Sequence, residues 1–239
     1  MSRLISAEQR LIVDRVLRYG RKVLSAARGE IPFETGSKHA EKLLNDLEGY
    51  PHCFVLASIM DQQIKAPRAW IIPYKIGKMA GGFKFAHFER LTRMEITAIF
   101  NELHLHRFNA KQAQYFYAAV QDIREKYQGD ASQIWANKPQ SGTVVRRFLE
   151  FKGVGVKIAT MATNILVRDF KVPLADYSSI DISPDRRVMR FFKEHGLLRK
   201  DAKTDELIYL AREISPKFPG LLDIAAWTNG AAAAMRDGN

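Results

Sequence analysis

The chain holds a single cysteine, Cys53, in 239 residues. No internal disulfide can form, and no thiolate-ligated iron–sulfur or zinc cluster can be assembled within it. Cys53 sits in the apolar run Cys53-Phe54-Val55-Leu56-Ala57, the setting of a packed structural thiol, not of a nucleophile. No run of about 18 apolar residues is present, as a membrane-spanning helix requires, and Met1-Ser2-Arg3-Leu4 lacks the apolar segment of a secretory signal. An intracellular protein with no membrane partner is therefore expected. Acidic residues are scarce: 26 Asp and Glu stand against 37 Lys and Arg, for a net charge of +11. A field of that sign attracts polyanions, which makes nucleic acid the first partner to consider. No helix combines a basic face with a bulky apolar one at a terminus, the pattern of a membrane-surface helix.

Strict alternation of polar and apolar residues over five or more positions is also missing, whereas the helical period recurs almost throughout. The chain reads as all-α. Ile12, Val16, Tyr19 and Val23 form the stripe of a first helix opened by a capping box of Ser6 and Gln9. Helices follow over about 37–47, 51–63, 142–150, 157–167, 184–195, 205–214 and 220–235. Thr92 with Glu95, and Asn109 with Gln112, predict two further capping boxes, the second before a long stripe of Ala113, Phe116, Val120, Ile123 and Tyr127. Residues 77–86 and 169–183 read as loops.

The most informative stretch is Phe151-Lys152-Gly153-Val154-Gly155-Val156-Lys157-Ile158-Ala159. Without a Cβ, Gly153 and Gly155 can adopt positive φ and bring backbone amides against a phosphodiester, and a helix starting at Lys157 would aim its positive end at the same place. Twenty-eight residues after Lys157 stands Asp185, in Ser183-Pro184-Asp185-Arg186-Arg187-Val188, where serine and proline mark another helix start. A Gly-x-Gly turn between helices is common, and an isolated lysine or aspartate is by default a solvated surface residue. The combination carries the argument.

Three collinear blocks resemble the helix-hairpin-helix DNA glycosylase superfamily, which includes endonuclease III and the adenine-mismatch and 8-oxoguanine glycosylases. Residues 151–159 are similar to its hairpin Leu-Pro-Gly-Val-Gly-x-Lys-x-Ala, with Lys152 where proline is usual. Pro184-Asp185-Arg186-Arg187-Val188 resembles its Val-Asp-x-x-Val aspartate segment. Upstream, Leu56-Ala57-Ser58-Ile59-Met60-Asp61-Gln62-Gln63 is similar to its glutamine-bearing wedge helix, and His106-Arg107-Phe108-Asn109-Ala110-Lys111-Gln112-Ala113 to its Asn-x-Lys-Ala element. The spacing from lysine to aspartate exceeds that of endonuclease III, so Asp181 and Asp176 compete with Asp185. Ser58 stands where adenine-mismatch enzymes carry a glutamate, which argues against adenine as substrate.

The resemblance implies two helical lobes, about 40–172 and 1–39 plus 173–239, with an active-site cleft between them. It implies a monomer acting on double-stranded DNA that contains a damaged base, without organic cofactor or iron–sulfur cluster, and with at most a monovalent cation on the hairpin carbonyls. Lys157 is then the amine that forms a Schiff base, and Asp185 the carboxylate that stabilises positive charge on the sugar. Gln62 or Gln63, the latter preferred by the match, would fill the hole left by the extruded base. Gly153, Gly155 and Lys152, with Arg186 and Arg187, would hold phosphates, and Arg146, Arg147 and Arg168 would add charge nearby. Lys152, Arg186 and Arg187 are also the cations expected beside Lys157. Asp61, Trp70, Phe192 and Trp227 are the candidates to line the base pocket. An oxidised base, 8-oxoguanine before oxidised pyrimidines, fits the lysine and the missing cluster. Two alternatives stay open: a monofunctional alkylated-base or mismatch glycosylase, and a non-enzymatic module that uses the hairpin only to bind DNA.

Overall fold

The computed structural model describes residues 6–223, and no strand occurs among them, so the all-α reading holds. Helix α1 (Ala7–Ser25) opens on the expected capping box: Ser6 Oγ accepts from the Gln9 N–H at 3.2 Å and Gln9 Oε1 accepts from the Ser6 N–H at 2.7 Å. The Ser37 side chain caps α2 (Lys38–Asn45), and α3 (Pro51–Met60) starts on a proline, whose missing N–H costs nothing at that position. Three short helices follow: α4 (Ala66–Trp70), α5 (Ile72–Met79) and α6 (Phe85–Glu89). Residues 77–86, expected as a loop, thus contain the end of α5 and the start of α6. Elements of five to eight residues are too short to display a helical period in sequence.

Thr92 and Glu95 form their capping box at the start of α7 (Arg93–Glu102). The box expected from Asn109 and Gln112 does not form. Phe108 is the N-cap of α8 (Asn109–Tyr127), Asn109 Oδ1 accepts from the His106 N–H at 2.8 Å, and Gln112 is buried. Helices α9 (Ser141–Leu149), α10 (Val156–Arg168), α11 (Arg186–Glu194) and α12 (Thr204–Ile214) complete the set, with 3-10 turns at Ala131–Ile134 and Pro219–Leu222. Residues 169–183 hold no helix, as expected. The helix expected over 220–235, and Trp227 with it, extends outside the described residues.

The chain divides into two compact units. One comprises Gly29–Asn137 and Arg147–Ile158; the other comprises Lys138–Arg146 and the described parts of Met1–Arg28 and Ala159–Asn239. The division falls inside α9 and inside α10, whereas the sequence reading assigned both helices whole to a lobe over 40–172.

In the unit built on 29–137, α3 is the central element. All of its residues are buried, and α2, α4, α5 and α8 pack against it. Its polar side chains are satisfied within the core: Ser58 Oγ donates to the Phe54 carbonyl at 2.8 Å, and His52 Nε2 lies 2.8 Å from the Phe83 carbonyl. Burial holds the His52 imidazole down at about 4 and pushes the Cys53 thiol far above its ordinary range, the Asp46 carboxylate adding to the latter. Phe116 of α8 contacts Phe88 and Phe100 at ring-centroid distances of 6.3 and 6.0 Å. The other unit packs Val16 of α1, Ile182, Val188 and Phe192 of the α11 region, Leu207 and Ala211 of α12, and Leu222 into a second core.

Candidate functional site

The turn between α9 and α10 is held by Phe151, which is buried and whose carbonyl accepts from the Val154 N–H at 3.0 Å. Gly153 adopts φ +87, and a Cβ there would meet the Tyr115 ring of α8 at 2.3 Å. Only glycine meets both demands. Gly155 differs from expectation: its φ is not positive, and no atom lies within 4 Å of a Cβ placed on it. Lys152, Gly153 and Gly155 are exposed. The Lys111 ammonium lies 5.5 Å above the Tyr115 ring, adding a cation to the helix that supports the turn. The Phe151 and Gly155 carbonyls each accept one backbone N–H, and a carbonyl oxygen has a second lone pair, so the turn can offer oxygens to a monovalent cation.

Helix α10 begins at Val156, one residue before the expected start, which makes Lys157 its second residue. A carboxylate lies beside the amine: Lys157 Nζ is 3.7 Å from Asp61 Oδ2, with the aspartate side chain 6% exposed and the lysine side chain 36%. Asp61 is the C-cap of α3. The helix therefore ends at Met60, and Gln62 and Gln63 lie in the bend beyond it, not within a helix reaching residue 63. The Gln62 amide folds back, Nε2 donating to the Ile59 carbonyl at 2.8 Å. Gln63 is exposed at φ +56, a left-handed conformation that disfavours side chains by about 1 kcal/mol. Behind the bend, Arg68 Nε donates to the Leu105 carbonyl at 3.2 Å, and the buried His106 ring abuts the Met60 and Gln62 backbone. Burial lowers the His106 pKa, and those backbone groups oppose the shift.

In the other unit, Asp185 is the N-cap of α11, its Oδ1 accepting from the Arg187 and Val188 N–H groups at 2.8 Å each. The cap is thus Asp185, not the Ser183 and Pro184 of the sequence reading. Arg186 and Arg187 are exposed in the first turn. The two competing carboxylates are engaged elsewhere. Asp181 receives both prongs of the Arg212 guanidinium at 2.7 and 2.8 Å. Asp176 accepts from Ser141 Oγ at 2.6 Å and from Ser178, contacts that hold it below the usual carboxylate range.

Sequence reasoning missed Asp223 as a partner of this region. It is 2% exposed and accepts the Ser183 N–H at 3.0 Å, two residues before Asp185. Burial pushes its carboxyl up to about 6; the Arg168 guanidinium opposes the shift, and the Asp185 charge adds to it. The signal was legible in part: Asp61 and Asp223 each end an apolar run, where a carboxylate is out of place.

Other expectations fall away. Arg168 is buried against Asp169, and Arg147 donates to the Gln133 and Ile134 carbonyls, so both serve the scaffold; Arg146 is exposed. Phe192 belongs to a hydrophobic core, and Trp70 packs between Phe33 and Phe54 at centroid distances of 4.8 and 5.9 Å. Ser58 points into its own helix. Among the described residues no group of three or more His, Cys, Asp or Glu could hold a metal ion, and no helix is long and apolar enough to cross a membrane.

Comparison with solved structures identifies the fold as that of the helix-hairpin-helix DNA glycosylases. The 8-oxoguanine glycosylase/lyase of Clostridium acetobutylicum, solved with double-stranded DNA containing cytosine opposite 8-oxoguanine, superposes with a TM-score of 0.57 at 14% identity, covering 90% of this chain and 70% of that one. A trapped endonuclease III–DNA covalent intermediate gives 0.54 at 15%, covering 92% and 86%. The 8-oxoguanine DNA glycosylase of Methanocaldococcus jannaschii gives 0.55 at 17%, covering 92% and 94%. No protein-family profile and no curated protein sequence matches the chain.

Two outcomes test this geometry. Gly153→Ala should lose roughly 1–3 kcal/mol of stability in urea unfolding, from left-handed strain and the Tyr115 contact. Adding Tyr115→Ala should relieve the contact, so the double variant is less destabilised than the sum of the singles. For Asp223, a carboxyl raised in the folded state favours folding below its unfolded pKa and loses that contribution as pH rises through about 6. Unfolding free energy measured from pH 4 to 7 should therefore carry a declining component that Asp223→Asn abolishes.

Proposed function

We propose that the protein is a DNA repair glycosylase with associated lyase activity, excising an oxidised base, with 8-oxoguanine the leading substrate. The observation that carries this reading is Lys157: a partly exposed primary amine in the first turn of α10, directly after the hairpin turn that Gly153 closes against Tyr115. A hairpin used only to grip DNA has no need of an amine there. Support comes from the shared fold, the collinear motifs and the net charge of +11.

In this reading the exposed hairpin turn holds the phosphodiester backbone through its amides, and Lys152 adds charge. Arg186 and Arg187 point to the same polyanion, because cations in the first turn of α11 oppose the helix dipole and bring the fold no benefit. Gln63, exposed beyond the buried end of α3, is the plug for the vacated base position, with Gln62 bonded back to Ile59 behind it. Asp185 is the carboxylate facing positive charge on the sugar, since Asp181 and Asp176 are committed to Arg212 and to serines.

The chemistry then runs through the neutral amine. Lys157 Nζ forms a bond to C1′ as the bond from C1′ to the base breaks, and the base departs with the electron pair and takes up a proton. Ring opening gives an iminium between Nζ and C1′. Loss of a C2′ proton drives β-elimination, which breaks the C3′–O bond and releases the 3′ phosphate. Hydrolysis of the imine then frees the lysine. The reaction requires no redox cofactor, and the reading places one protein molecule on one DNA duplex inside the cell.

Wild-type protein should nick duplexes carrying 8-oxoguanine opposite cytosine, and Lys157→Ala should lose strand cleavage by at least about 10³-fold while keeping duplex affinity within a few-fold. Product gels and fluorescence anisotropy check both. Base release that survives in Lys157→Ala would favour a monofunctional glycosylase, and wild-type binding without base release would favour a DNA-binding module.

A further inference from the structure

The contact between Lys157 and Asp61 was foreshadowed by no motif, and the proposed chemistry makes no use of the aspartate. A carboxylate 6% exposed is costly to bury unless a cation compensates it, and Lys157 Nζ at 3.7 Å provides one. That distance is one of an ion pair and exceeds a hydrogen bond. Asp61 is also held in place by its element. It caps α3, all of whose residues are buried; its own N–H donates to the Ser58 carbonyl at 3.2 Å; and it is continuous with the bend that carries Gln62 and Gln63.

We infer that Asp61 is a positioning residue for Lys157: its buried carboxylate holds the lysine amine at the end of α3, beside the bend that carries the two glutamines. The inference rests on the proposed role of Lys157 for its importance to catalysis, but not for its test. A carboxylate so placed favours every cationic state at Nζ. It holds the resting ammonium in one place and stabilises the iminium once formed. The lysine thus stays localised near the glutamine bend until it reacts. The other ionisable groups on the framing elements are His106, whose pKa burial lowers; Arg68, bonded to the Leu105 carbonyl; the exposed Lys65; and Glu150 and Lys152 of the hairpin turn. None of them changes in an Asp61 variant, so a comparison of variants isolates the aspartate.

The test is reductive alkylation of the full chain by a small neutral aldehyde with cyanoborohydride, at low conversion and one fixed pH, with labelling of each lysine read by peptide mass spectrometry. In Asp61→Asn, labelling of Lys157 relative to Lys152 should rise at least about 3-fold, because no carboxylate then holds the Lys157 ammonium. Asp61→Glu, which restores the charge, should return most of the difference. Asp61→Ser supplies the same comparison if the asparagine variant does not fold. Equal relative labelling of Lys157 in wild type and Asp61→Asn would overturn the inference. Borohydride trapping on an abasic duplex, run in parallel, separates the two readings. If labelling shifts but no variant traps DNA, the proposed function fails and the positioning role stands; if wild type traps DNA and labelling does not shift, the reverse holds.

Discussion

A helix buried on every side dictates much of what surrounds it. From Pro51 to Met60 the chain offers α3 no solvated face, so its two polar side chains must find partners inside the core, and they do so through the Phe54 and Phe83 carbonyls. The first charge after ten buried positions is Asp61. Because the helix cannot slide or rotate without exposing large apolar side chains, Asp61 and the bend behind it inherit a fixed position. Helix α8 packs on α3, Tyr115 of α8 fills the space beside Gly153, and the hairpin turn is thereby referenced to the same core. One constraint thus locates both the glutamine bend and the turn that precedes Lys157.

The second unit reaches a comparable result with polar contacts. The stretch from Asp176 to Asp185 has no helix of its own, and its conformation is set by what its carboxylates and amides touch. Asp176 is bonded to Ser141, Asp181 to Arg212, and the Ser183 N–H to the buried Asp223, while Asp185 caps α11. A loop anchored at so many points can present a carboxylate reproducibly without regular secondary structure. Asp223 supports the residues before Asp185 and shares its electrostatic environment.

Much of this was legible in the sequence, and the divide has a physical basis. Local rules worked where one side chain decides an outcome: Ser6 and Thr92 cap the helices they were expected to cap, and the period of α8 marked Phe116, Val120 and Ile123 as core. They failed where a neighbour distant in sequence decides. Nothing local tells Gly153, whose Cβ would strike Tyr115 of α8, from Gly155, and α4, α5 and α6 are too short to show a helical period. Asn109 is a local miss: it accepts the His106 N–H three residues back and does not cap its helix. The partners of Lys157, Asp181 and Ser183 lie 31 to 96 residues away, beyond any local pattern.

The central claim is that Lys157 is the covalent nucleophile. Its most direct test is to reduce the wild-type reaction on an 8-oxoguanine duplex with borohydride, digest the adduct with protease and nuclease, and sequence the sugar-bearing peptide by mass spectrometry. The account predicts a single modified residue, Lys157. A modification at another amine, such as Lys152 or Lys111, or base release with no adduct, would contradict it.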